Sequence, residues 1–160
     1  MKRILTLGLV CALAVSFLAA CGGKKADGGD VDLDACYAQM LKDADFEDGY
    51  METTEGEMLD SFYPGLGDIP AKKLIAAAPL MSGVVNEVVL MQCETEDDAA
   101  NAAAILQERV DSQANGGAWY PESMDAWSRA QVIQHGAYVA MIASADYQDT
   151  WAADFENLFV

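Results

Sequence analysis

Leu18-Ala19-Ala20-Cys21 closes an N-terminal apolar run and decides how much of the chain is left to fold. Lys2 and Arg3 form a charged start. Residues 4–20 are apolar apart from Thr6, Gly8 and Ser16. Small residues at 19 and 20 then precede a cysteine. That order is a secretory signal ending in a lipobox, with Leu18, Ala19 and Ala20 as the recognition residues. Cys21 is expected to carry a diacylglycerol group and to become the first mature residue. The new N-terminus is a second place for an acyl chain. Each buried methylene contributes about 0.8 kcal/mol, and two chains hold where one binds only reversibly. The rival reading is an uncleaved membrane-spanning helix. The apolar run is slightly short for that, and Gly22-Gly23 follows it at once. The expected location is the extracytoplasmic face of a bacterial cell membrane.

Removing residues 1–20 leaves 140 of the 160 residues, one ordinary domain with its tether. Residues 22–30 (GGKKADGGD) are Gly-rich and have no apolar anchor. Nine such residues span about 15–18 Å on average, so the domain over 31–160 is expected to ride close to the bilayer. Losing Lys2 and Arg3 leaves 7 bases against 26 acids, a formal charge of −19. Such a chain repels the phosphates of nucleic acid, and no nucleic-acid partner is expected.

The apolar spacing over residues 31–44 is helical: Leu33, Cys36, Tyr37, Met40, Leu41 and Ala44 share a face. Residues 46–54 are acidic and read as a loop. Residues 55–62 read as a short helix, closed by Tyr63-Pro64-Gly65. Residues 71–78 read as another helix. Residues 83–93 are rich in Val and contain no turn residue after Gly83, which predicts a strand. Thr95 and Asp98 have capping-box spacing, and Ala99, Ala102, Ala103, Leu106 and Val110 form one face of the helix that follows. It should end by Gly116-Gly117. Residues 119–127 form a Pro-initiated turn or short helix. Residues 130–143 read as a hairpin turning at His135-Gly136. A final helix is expected over 147–158. The fold class is α+β: a small sheet of about three strands covered by helices.

The chain resembles the lipoproteins that carry domain of unknown function 4358, found in Gram-positive bacteria. The residues that carry the likeness are Pro79-Leu80-Met81-Ser82 followed by Glu87-Val88-Val89, then Tyr120-Pro121-Glu122, then the hairpin from Ala130 to Val139. The resemblance covers nearly all of residues 30–160. It implies a secreted or lipid-anchored protein of this size and brings no catalytic residues.

The chemical candidates are few. Cys36 and Cys93 are expected to be two buried free thiols, with a disulfide between them as the alternative in an oxidising compartment. His135 is the chain's one histidine. Beside Gly136 it reads as a turn residue rather than a base or a ligand. Residues 43–49 have a calcium-loop flavour, but from Asp43 the Gly and Glu fall at seven and thirteen instead of six and twelve. No metal or other cofactor is expected beyond the lipid on Cys21. Trp119, Tyr120, Trp127, Tyr147 and Trp151 supply either core packing, the preferred reading, or a stacking platform. No nucleophile motif or phosphate loop accompanies them. The expected function is therefore a binding or interaction module at the cell envelope, not an enzyme. The partners are the membrane, through the anchor, and an envelope protein or ligand. Alternatives are an accessory subunit of an envelope complex and a carboxylate-based hydrolase of envelope polymers.

Overall fold

A computed structural model of the chain describes residues 31–80 and 83–160. The expected signal sequence, Cys21 and the expected tether lie outside the described residues. The elements run in chain order: α1 (Leu33–Ala44), β1 (Glu52–Thr53), α2 (Gly56–Phe62), β2 (Ala71–Ala78), β3 (Asn86–Cys93), α3 (Glu96–Ser112), α4 (Pro121–Ser128), β4 (Gln131–His135), β5 (Tyr138–Ser144) and α5 (Gln148–Glu156). The class is α+β. The sheet has five strands, not three, in the order β1-β2-β3-β5-β4, and every neighbouring pair is antiparallel.

Helices cover both faces of this sheet. On one face α2, α3 and α4 pack on Val89, Met91, Cys93, Val139, Met141 and Ala143. On the other, α1 and α5 pack on Val88, Leu90, Ala140 and Ile142. Side chains alternate across a strand, so a central strand covered on both faces is buried at successive positions. That is why all eight residues of β3 are buried. It is also why β2 reads wrongly from sequence. Ala, Lys and Leu favour helix. In the fold, residues 73–77 pair in register with β3, placing Leu74 and Ala76 on one cluster and Ile75 on the other. Pairing with β3 overrides propensity. The loop expected over 46–54 contains the two-residue edge strand β1.

The caps follow the residues. Asp32 accepts the Ala35 N–H at 2.9 Å and starts α1. Thr95 accepts the Asp98 N–H at 3.1 Å and starts α3, while the Asp98 carboxylate accepts the Thr95 hydroxyl proton at 2.7 Å. The hairpin is present, but its turn is Gly136-Ala137, because His135 pairs with Tyr138. Gly136 supplies the positive φ of +56° at the first turn position. His135 is thus the last residue of β4. Its ring stacks on Phe159 with centroids 4.5 Å apart.

The sheet has two distinct ends. At one end the Val31 N–H donates to the Tyr138 hydroxyl at 3.4 Å, and Tyr138 lies opposite Gln92 in β3. The described residues begin at this end. At the other end lie Asn86 and Glu87, five steps from Gln92, or about 17 Å along the strand. α1 runs the same length: the Tyr147 hydroxyl, just beyond the end of β5, donates to the Ala44 carbonyl at 3.3 Å.

Candidate functional site

At the end of the sheet away from Val31, a cleft of about 280 Å³ opens between the tips of β2 and β3 and the segment joining α3 to α4. Its lining includes Phe62, Pro79, Asn86, Glu87, Arg109, Ala118, Ser123 and Trp127. Pro121 at the first turn of α4 suits a helix start; Tyr120 before it is in extended backbone, and Trp119 precedes Tyr120. Both lie on the cleft rim, 94% and 60% exposed. Leu80 nearby is 54% exposed.

An ion pair forms the floor. Glu87 reaches from β3 to Arg109 on α3, with Nε to Oε1 and Nη2 to Oε2 each at 3.0 Å. The two side chains are only 8% and 16% exposed. The Tyr63 hydroxyl donates to Glu87 Oε1 at 2.7 Å. The guanidinium lies 4.6 Å from the Phe62 ring centroid and 5.3 Å from that of Trp127. A bidentate arginine–carboxylate pair is among the stronger hydrogen-bonded arrangements. Burial, together with the Glu87 charge and hydrogen bond, pushes the Tyr63 phenol well above its ordinary value. Burial alone would lower the Arg109 pKa. The Glu87 hydrogen bond and charge outweigh it and hold the guanidinium firmly protonated.

Two other polar side chains of the lining are also engaged. Asn86 accepts from the Ser144 hydroxyl at 2.7 Å and donates to the Tyr50 hydroxyl at 3.2 Å. Ser123 donates to the Gly83 carbonyl at 3.1 Å. The cleft therefore offers apolar and aromatic surface above a neutralised ion pair.

The five aromatics singled out from sequence divide between two places. Trp119, Tyr120 and Trp127 line the cleft. Trp151 is buried, donating from Nε1 to the Met40 carbonyl at 2.9 Å, and Tyr147 stacks on it with centroids 5.6 Å apart. Cys36 and Cys93 belong to clusters on opposite faces of the sheet and are free thiols in this structure. Burial, with Asp154 beside Cys36 and Asp98 beside Cys93, raises both to about 11, leaving them protonated at neutral pH. In residues 43–49, Asp43 accepts from Gln39 within α1 and Phe46 packs on Tyr50. Among the described residues no group of three or more His, Cys, Asp or Glu is placed to hold a metal ion. No described helix is long and apolar enough to cross a membrane.

Glu87, Arg109 and Tyr63 received no role from the sequence alone. The signal was present: Glu87 is the lone charge within an apolar strand segment, and Arg109 is the only base between Lys73 and Arg129. Their partnership needs the fold. No curated protein and no solved structure matches the chain. The family model described as "Domain of unknown function (DUF4358)" matches residues 42–144, a span holding the sheet, α2 to α4 and every residue of the cleft. The chain belongs to the DUF4358 family.

Proposed function

We propose that this protein is an extracytoplasmic binding module, lipid-anchored through Cys21, that receives an envelope partner in the cleft beside Trp119. The observation that carries the reading is the exposed Trp119–Tyr120 rim at the end of the sheet opposite the tether. Large aromatics are costly to leave in water, and exposed ones bordering a cleft mark contact sites. With the tether at one end and the cleft at the other, an anchored domain presents the cleft away from the bilayer. The hydrolase alternative needs two carboxyl groups facing each other across one cleft. Glu87 is the carboxylate of this lining, and both its oxygens already accept hydrogen bonds. Binding is the better-supported reading.

The test is photo-crosslinking in the native cell, with a crosslinking amino acid at position 119 or, as control, at exposed Glu94 near the tether end. Position 119 should give a discrete adduct that position 94 does not. The adduct should be lost when Cys21→Ser blocks lipidation and leaves unprocessed precursor. Equal labelling from both positions, or an adduct indifferent to Cys21→Ser, would reject an anchored module with its site in the cleft.

A further inference from the structure

Taking the cleft to be a binding site, we infer that its ligand is a basic peptide segment of a protein partner that also carries an apolar side chain. Two independent observations set this class. The first is that the lining keeps few side-chain hydrogen-bonding groups, those of Gln113, Trp119 and Tyr120. Asn86, Glu87 and Ser123 are each held by neighbours within the fold. A glycan needs many side-chain donors and acceptors for its hydroxyls. This cleft instead offers Phe62, Pro79, Trp119, Tyr120 and Trp127, which suit an apolar anchor.

The second observation is charge. Glu52, opposite Ala78 in the sheet, and Glu122, beside Ser123, stand exposed next to lining residues. The bases among the described residues are Lys42, Lys72, Lys73, Arg109 and Arg129. Lys72 and Lys73 lie at the start of β2, the tether end. Arg109 is held by Glu87, and Arg129 pairs with Asp125. Lys42 is on α1, against the opposite face of the sheet. Glu52 and Glu122 thus border the cleft, with no unpaired cation of the described residues beside them. Its field favours cationic ligands and repels acidic ones. Exposed Trp and Tyr faces add cation–π attraction for Lys or Arg.

The experiment uses the purified lipidated protein in detergent micelles and three probes: a short peptide alternating Lys with Leu, its Glu–Leu counterpart, and a neutral chitooligosaccharide. Binding is followed by isothermal titration, with Trp119→Ala as the paired control so that partition into micelles cancels. The Lys–Leu peptide should bind the wild type, weaken with added salt, and lose about tenfold in affinity in Trp119→Ala. The double variant Glu52→Gln, Glu122→Gln should weaken the same peptide and reduce its salt dependence. Neither control probe should bind. Binding of the glycan or the acidic peptide in a Trp119-dependent way would overturn the ligand class while leaving the cleft a binding site. Equal binding of the Lys–Leu peptide to wild type and Trp119→Ala would overturn the inference outright. The crosslinking experiment would still stand as the separate test of the cleft.

Discussion

Glu87 sits between two groups that reach it from different parts of the chain, Tyr63 after α2 and Arg109 near the end of α3. Removing one partner leaves the other charge buried. Such losses cost about 3–5 kcal/mol, far more than an exposed pair contributes. Arg109→Ala should therefore destabilise the domain by roughly that amount in urea denaturation. Tyr63→Phe, which keeps the ring and removes only a hydrogen bond to a charged acceptor, should cost about 1.5–3 kcal/mol. If both variants unfold with wild-type midpoints, the floor of the cleft does not depend on this network. The same residues show the limit of reading a site from sequence. A lone Glu in an apolar strand and a lone Arg in a helix are visible, but 22 positions separate them. Their meeting depends on α3 running back along β3.

At the scale of elements, helices with polar outer faces and clear caps were legible, as were β3 and the hairpin. β2 was not, because its Ala, Lys and Leu favour helix and only pairing with β3 overrides that preference. The turn was displaced by one residue because both His135 and Ala137 can flank Gly136, and the pairing of β4 with β5, which sets His135 opposite Tyr138, decides between them. Five strands appear where about three were expected because β1 is only two residues long and β2 reads as helix. Exposed charge at Lys72 and the half-exposed Lys73 guard the part of β2 that β1 does not cover.

The contact between α1 and α5 holds a titratable group of its own. Burial, then the charge of Asp43 and a hydrogen bond with it, raise the Asp154 carboxyl above its ordinary value. A pKa raised by folding favours the protonated form in the native state. Its stabilising contribution is full below the unfolded-state carboxyl pKa and is lost as pH rises through the folded one. Asp154→Asn keeps a donor toward Asp43 and removes the charge. The variant should melt higher than wild type at neutral pH, with the difference vanishing in acid. Scanning calorimetry at the two pH values checks this. A difference of equal size at both would mean that the charge of Asp154 is not what matters.

For the whole molecule, the account depends on polarity. The described residues begin at the Tyr138 end, where the proposed tether joins, and the cleft opens at the Glu87 end, about 17 Å farther along the sheet. The exposed Trp119 and Tyr120 admit a competing use, since both residue types are favoured at membrane interfaces. The decisive measurement is spin-label depth on the lipidated protein in phospholipid vesicles, with nitroxides placed separately at Trp119→Cys and Glu94→Cys. Cys36 and Cys93 are buried and protonated, so they should stay unlabelled. The account predicts that the label at 119 relaxes only with a water-soluble paramagnetic reagent. The label at 94 should lie closer to the headgroups, within reach of the short tether. A label at 119 that relaxes with membrane-dissolved oxygen would contradict the account and make the aromatic rim a membrane contact, not a binding site.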